Sequence, residues 1–301
     1  MANFPFASVI VPIFNDNEHL ALCLNALCHQ DYARDAYEII VVDNNSDQDV
    51  SHVVSQFEGV RLMVEPRPGS YIARNRGIEA AQGEVIAFTD ADCIPKSTWL
   101  RQGVEVLWRG QNVGLVAGRI ELFAKNAQHP NPFELYETIA LAFPQHQFIQ
   151  NDHFGVTANL FTFRHVIEAV GPFDETLKSG GDKHWGQRVY AAGYQQLYAE
   201  KACVKHPARD TWEALRKRSV RIVGGRYDML RASGLSNFDL IGNFISFLKP
   251  PFGFFLRTWR DERLSDLKQK CQFTVVMLRL RGVAIRERFR LQFRKGVSDR
   301  G

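Results

Sequence analysis

Short β-branched runs separated by leucines at helical spacing fill the first third of the chain. Ala7-Ser8-Val9-Ile10-Val11-Pro12 predicts a first strand, and Leu20, Leu24 and Leu27 follow at helix period. Tyr37-Glu38-Ile39-Ile40-Val41-Val42 predicts a second strand and Leu62-Met63-Val64 a weaker third. Ile72 to Ala81 reads as a helix, which Gly83 ends before a fourth strand, Val85-Ile86-Ala87-Phe88. Strands alternating with helices need crossover connections, which predicts an α/β fold with a mostly parallel sheet flanked by helices. Their continuous apolar character fits burial on both faces. From Val113 the alternation loosens. Gly114 to Leu122 and Val156 to Phe163 read as strands, and Pro132 to Phe143, His165 to Val170 and Lys183 to Ala192 as helices. Tyr194 to Val204 gives a last strand-like pair of segments, and Thr211 to Arg231 a strongly basic helix.

At 301 residues the chain can bury one large core or two smaller ones. No apolar run approaches the roughly 18 residues of a membrane-spanning helix, and Met1-Ala2-Asn3-Phe4-Pro5 lacks the basic and apolar regions of a signal peptide. The five cysteines are odd in number and form no Cys-x-x-Cys pair. That predicts a reducing compartment with buried thiols, not a disulfide framework or a zinc site, and hence a cytoplasmic protein. Net charge is +4, divided as +12 over residues 211–301 and −8 over residues 1–210. An acidic body, 1–210, is therefore followed by a basic, aromatic-rich helical extension, 211–301, that suits an anionic partner.

The candidate chemistry lies where predicted strands end. Thr89-Asp90-Ala91-Asp92-Cys93 closes the fourth strand, and open α/β sheets bind ligands at this edge. Two carboxylates one residue apart can hold a divalent cation that keeps positions free for substrate phosphates; an ordinary strand-end turn is the alternative reading. Pro12-Ile13-Phe14-Asn15 follows the first strand, where a nucleotide-binding reading puts Phe14 near a base and the alternative is an ordinary strand-to-helix connection; Asp43 ends the second, where it could accept from a base or ribose or simply precede a turn at Asn44-Asn45. No glycine occurs between Ser8 and Gly59, so neither a dinucleotide fingerprint nor a Walker A loop can follow the first two strands. Phosphate charge then needs a metal or side chains; Arg74, in the first turns of a helix, can point at a phosphate or a nucleotide carbonyl or stand as a solvated surface charge. Gly180-Gly181-Asp182 opens a helix, where the dipole favours an ionised acid that can act as a general base or simply cap the helix. His206 follows the last strand; imidazole with carboxylates suits Mn²⁺, and less well Mg²⁺.

Over Ser8 to His206 the chain resembles the family 2 glycosyltransferases, which have the GT-A fold. The resemblance rests on ordered motifs: Pro12-Ile13-Phe14-Asn15, Asp43, Arg74-Asn75, Asp90-Ala91-Asp92, Gly171-Pro172-Phe173-Asp174-Glu175 and Asp182. It implies a GT-A-type, Rossmann-like sheet and inverting transfer from a UDP- or GDP-linked donor, in polysaccharide or glycolipid biosynthesis. Asp182 would be the base, Pro12, Phe14, Asp43, Arg74 and Asp90 would contact the nucleotide, and Asp92 with His206 would hold Mn²⁺ or Mg²⁺. Gly181 stands where the family often has glutamate. The acceptor would be a saccharide or lipid-linked hydroxyl, with its pocket, and that of the donor sugar, shaped by segments such as Glu134–Asn151 and Gly155–Asn159. The nearest rival is a nucleotidyltransferase, whose usual glycine-rich loop is absent. A nucleic-acid-binding protein using the tail is a second rival, but the tail carries no nucleic-acid motif and the body is acidic. Within 236–301, Phe244, Phe247, Leu248, Phe252, Phe254, Phe255 and Trp259 lie among Lys249, Arg257, Arg260 and Arg263. That mixture suits peripheral contact with an anionic membrane at its inner face, or packing of a basic subdomain on protein.

Overall fold

All seven residues of the first strand, β1 (Ala7–Ile13), are buried, as a strand covered on both faces requires. The computed structural model describes residues 4–232, 234, 236–249 and 252–293. Residues 1–3, 233, 235, 250, 251 and 294–301, which the predicted body and extension include, lie outside the described residues. After β1 come α1 (Asn17–Cys28), β2 (Tyr37–Asp43), α2 (Val50–Val54), β3 (Val60–Val64), α3 (Ser70–Ala80) and β4 (Val85–Thr89). A two-residue β5 (Ile94–Pro95) precedes α4 (Trp99–Arg109), β6 (Val113–Phe123), α5 (Pro132–Ala140) and the single turn α6 (Gln145–Gln147). β7 (Asn159–Phe163), α7 (Arg164–Val170), α8 (Gly181–Ala191) and β8 (Gln195–Pro207) follow. The last helices are α9 (Trp212–Ala232), α10 (Asn237–Leu248), α11 (Phe252–Trp259) and α12 (Leu267–Phe293).

The strands form one sheet in the order β3-β2-β1-β4-β7-β6-β8-β5. β3, β2, β1 and β4 are mutually parallel. Beyond β4 the pairs β4–β7, β6–β7 and β5–β8 are antiparallel. The parallel character predicted from the sequence therefore holds for the half built from βαβ crossovers. It stops where those crossovers stop. The order reverses between β1 and β4, so a crevice opens at their carboxyl ends, the usual ligand position of such sheets. Pro12, which has no N–H to give, lies beyond the last β1–β4 pair, Ile10–Phe88.

Two compact units result, one of Met1–Glu121, Phe143–Glu175 and Gly181–His206, the other of Leu122–Ala142, Thr176–Gly180 and Pro207–Gly301. In the first, Asn159 joins three strands from a fully buried position. Its Oδ1 accepts from Trp99 Nε1 at 2.8 Å, and its Nδ2 donates to the carbonyls of Arg119 and Ala202 at 2.8 and 2.9 Å. A Cβ at Gly118 would fall 2.3 Å from both Asn159 Oδ1 and the Ala202 carbonyl, so only glycine fits there. Asn159 thus spends its side-chain amide inside the sheet.

In the second unit Leu135, Tyr136, Leu215, Phe273, Val276, Met277 and Leu280 pack α5, α9 and α12 together. Glu137, fully buried, accepts from the Arg209 backbone N–H at 2.6 Å and pairs with its guanidinium, while Arg218 lies 3.8 Å away. Burial, with the like charge of Arg209, pushes Arg218 down to about 10. Most of the tail aromatics singled out in the sequence turn inward. Phe244 is buried, and Phe254, Phe255 and Phe247 pack against the clusters of this unit. Arginine guanidinium groups lie over rings of this unit: Arg281 over Phe247, Arg279 over Trp212 and Arg288 over Tyr227.

Candidate active site

Two loops at the carboxyl edge of the parallel strands are tied to each other. After β1 the backbone turns at Asn15, whose φ of +52° is left-handed, a conformation asparagine tolerates. Asn15 Nδ2 donates to Asp47 Oδ2 at 3.0 Å, its Oδ1 accepts from Asp47 N at 2.7 Å, and its own N–H donates to Ser46 Oγ at 2.9 Å. Phe14 is thereby presented with 61% of its surface exposed, whereas Pro12 stays buried within β1. Asp43, the last paired residue of β2, accepts from Ser46 N at 2.9 Å. The neighbouring Asn44 donates to the carbonyls of Glu65 and Arg67 and accepts from Gly69 N, which fixes the approach to α3.

The Asp90-Ala91-Asp92-Cys93 segment is a turn in which Cys93 N donates to the Asp90 carbonyl at 3.0 Å. It is also more than a turn, because both carboxylates are engaged. Asp90 Oδ1 accepts from Arg74 Nη2, and Arg74, buried on α3, donates through Nη1 to the Ser70 carbonyl at 3.2 Å. Arg74 Nε is buried without a hydrogen-bond partner. Asp92 Oδ2 lies 3.4 Å from His206 Nε2. The reason is local: β5 pairs Ile94 with Lys205 and Pro95 with Val204, and continuing that register sets Cys93 opposite His206. One oxygen of Asp92, His206 and the Cys93 thiol all lie within 4.8 Å of one another, a donor set that fits a divalent cation.

Asp182 begins α8 and accepts from Lys183 N at 2.9 Å and, more distantly, from the Tyr71 hydroxyl at 3.4 Å. Burial pushes its carboxyl above the usual carboxylate range; the Lys183 N–H and the Arg74 charge pull it back, while Asp90 adds to the rise. Tyr71 itself is pushed up by burial and by the Asp182 charge, so its hydroxyl keeps its proton. A Cβ at Gly181 would meet the Tyr71 ring at 2.6–2.8 Å, which explains why no glutamate stands there. Asn75 fixes the segment before α8: it donates to the Phe173 carbonyl at 2.9 Å and to Glu175 Oε1 at 3.1 Å, and accepts from Phe173 N at 3.0 Å.

Of the residues singled out from the sequence, Arg74, Asp90 and Asp182 are thus brought into one electrostatic cluster, and Asp92 and His206 into a second on the same turn. Phe14 lies on the loop after β1 and Asp43 at the end of β2. Two participants were missed. Tyr71 precedes Arg74 by three residues, the spacing of one helix face, and that was its available signal. Cys93 was read as a buried thiol outside any metal site; burial holds, as it does for Cys23 and Cys203, but Cys271 is exposed. The signal for Cys93 was adjacency to Asp92.

Residues 8–171 match the profile described as Glycosyl transferase family 2. Glycosyltransferase AglE of Haloferax volcanii is 38% identical over 221 residues, covering 72% of this chain and 71% of that protein. The Methanococcus voltae protein named dolichyl N-acetyl-alpha-D-glucosaminyl phosphate 3-beta-D-2,3-diacetamido-2,3-dideoxy-beta-D-glucuronosyltransferase is 22% identical over 202 residues, covering 63% of each. Among solved structures, mannosyltransferase PcManGT from Pyrobaculum calidifontis, in complex with GDP-Man and Mn²⁺, superposes with a TM-score of 0.60 at 20% identity, over 92% of this chain and 75% of that one. That likeness establishes the GT-A fold, and the family match, which takes in the strand-end turn and Arg74, establishes the rest: the chain belongs to glycosyl transferase family 2 and is a glycosyltransferase.

Proposed function

We propose that the protein is an inverting hexosyltransferase that moves a sugar from a UDP- or GDP-linked donor to a hydroxyl of a saccharide or lipid-linked acceptor. The observation that carries this reading is the placement of Asp182. It is an acid with a raised proton affinity, and it is coupled through Arg74 to Asp90 on the turn that also carries Asp92. The exposed ring of Phe14 is available to stack on the base. Pro12, Asp43 and Asp90 line the nucleotide, with Asp90 held toward the ribose by Arg74. Asp92 and His206 would hold a divalent cation, which when bound neutralises the charge developing on the departing diphosphate. Asp182 accepts the acceptor's hydroxyl proton as the oxygen bonds to the anomeric carbon and the bond from that carbon to the phosphate oxygen breaks on the opposite face. A raised pKa makes Asp182 a stronger base than an ordinary aspartate. The Mn²⁺ and GDP-Man of the superposed mannosyltransferase support a cation and a nucleotide-sugar donor. The dolichyl phosphate in the Methanococcus voltae relative's name supports a lipid-linked acceptor.

Catalysis is assigned to residues 1–210 and docking to the extension, 211–301, at the cytoplasmic face of an anionic membrane. No helix among the described residues is long and apolar enough to cross one. Support comes from α10 and α11. Phe238, Ile241, Ile245 and Leu248 are exposed at i, i+3, i+7 and i+10, and Phe252 and Leu256 continue the apolar exposure. Phe238 and Phe252 are 87% and 70% exposed. Such a stripe suits interfacial burial.

Donor hydrolysis screened across UDP- and GDP-sugars with Mn²⁺ or Mg²⁺ tests the activity, with turnover expected for one nucleotide class. Asp182→Asn should lower transfer by about 10²–10⁴-fold while nucleotide affinity stays nearly unchanged. A large loss of affinity would remove Asp182 from the base role, and no turnover or binding of any donor would overturn the reading.

A further inference from the structure

We propose that Cys93 supplies a thiolate to the cation held by Asp92 and His206, so that this site favours thiophilic divalent ions such as Zn²⁺ and Co²⁺ over Mg²⁺. The proposal rests on the reading of Asp92 and His206 as cation ligands and adds to it a third donor and a metal preference. The Asp92 carboxylate lies between the other two groups: Oδ2 is 3.4 Å from His206 Nε2 and Oδ1 is 4.0 Å from Cys93 Sγ. In a tetrahedral site with metal–sulfur bonds near 2.3 Å and metal–nitrogen or metal–oxygen bonds near 2.1 Å, neighbouring donors are about 3.4–3.6 Å apart. One oxygen of Asp92, the His206 imidazole and the Cys93 thiol all lie within 4.8 Å of one another, so side-chain rotation that draws them together is what seats the ion.

The backbone holds two of these donors face to face. Cys93 N donates to the Asp90 carbonyl at 3.0 Å, and Lys96 N donates to the Cys203 carbonyl at 2.9 Å, which clamps β5 on β8 and keeps Cys93 opposite His206. Cys93 is 0% exposed and His206 4% exposed, so a cation seated here is shielded on the protein side. A thiol used only for packing would be an ordinary small apolar side chain. Here it sits beside a carboxylate and an imidazole, the two other ligand types of mixed sulfur–nitrogen–oxygen sites. Thiolate ligation selects softer ions, whereas carboxylate and water alone suit Mg²⁺ and Mn²⁺. Binding breaks the S–H bond and forms a metal–sulfur bond. The proton leaves to solvent, and no group changes oxidation state.

Co²⁺ titration of the full chain under reducing conditions is the test. The expected result is a near-ultraviolet sulfur-to-cobalt charge-transfer band that saturates at one ion per chain. It should persist when Cys23, Cys28, Cys203 and Cys271 are replaced by serine and vanish in Cys93→Ser and in Cys93→Ala. Competition with Zn²⁺ should show an affinity loss of at least about tenfold in Cys93→Ser, with Mg²⁺ affinity nearly unchanged. Co²⁺ binding to the wild-type chain without the band, or a band that survives Cys93→Ser, overturns the thiolate ligand even if one variant folds poorly. Binding of no divalent ion, measured by calorimetry with Mn²⁺ and Co²⁺, overturns the Asp92–His206 reading itself, so the two failures are distinguishable.

Discussion

Asp182 is placed where its charge is costly, and the cost has a sign that can be measured. Because burial raises its pKa, the folded chain binds this proton more tightly than the unfolded chain does. Its contribution to stability is therefore most favourable at low pH. It declines as pH rises from the unfolded value through the raised folded one, and the full penalty is present above that. Asp182→Asn removes the charge but keeps the shape. The variant should melt above the wild type near neutral pH, with the difference shrinking as pH falls and Asp182 takes up its proton. Differential scanning fluorimetry across pH checks this, and a lower melting temperature near neutrality would mean that the Lys183 N–H and Arg74 outweigh burial. The acids of the site were legible from the sequence because a carboxylate at the end of a buried strand has few reasons to be there except turn geometry or ligands. Tyr71 was not, since an aromatic at a helix start normally reads as core, and its contact with Asp182 spans 111 residues of sequence.

At the scale of elements, the start of α8 is shaped by α3. Gly180 has a φ of +80°, in the left-handed region that favours glycine, and Gly181 has the Tyr71 ring where a side chain would begin. Replacing Gly181 by glutamate would restore the residue often found in the family, yet here it drives Cβ into an aromatic ring that also stacks on Phe173 at 5.8 Å. Gly181→Glu should lower both the melting temperature and transfer. Adding Tyr71→Ala should recover part of the lost stability, giving an interaction energy of about 0.5–3 kcal/mol in a double-mutant cycle. Additive effects would show that the ring does not set the glycine. The parallel half of the sheet was readable because β1, β2 and β4 carry apolar runs and their crossovers leave a helix period, while β3, with Arg61 and partly exposed, left a fainter mark. The antiparallel half was blurred, since strand direction leaves no mark on a strand's own pattern. β5, at two residues, has no pattern at all, yet its pairing with β8 is what brings His206 to Asp92.

For the whole molecule, charge and exposed apolar surface separate along the sequence. The −8 of residues 1–210 would be repelled by an anionic surface, while the +12 of residues 211–301 would be drawn to it. Attraction alone is screened within about 10 Å at 0.1 M salt, so a basic extension without apolar anchors would bind weakly in physiological salt. On the proposed docking Phe238, Ile245 and Phe252 would be such anchors, and their exposure means that replacing them removes little packing. The full chain should therefore float with phosphatidylglycerol vesicles, much less with phosphatidylcholine vesicles, and progressively less as salt rises. The triple variant Phe238→Ser, Ile245→Ser, Phe252→Ser should stay with the pellet while keeping its melting temperature and its hydrolysis of free donor. Equal absence from both vesicle types sinks membrane docking. Equal flotation with both removes the electrostatic half of the argument, and flotation of the triple variant removes α10 and α11 as the contact.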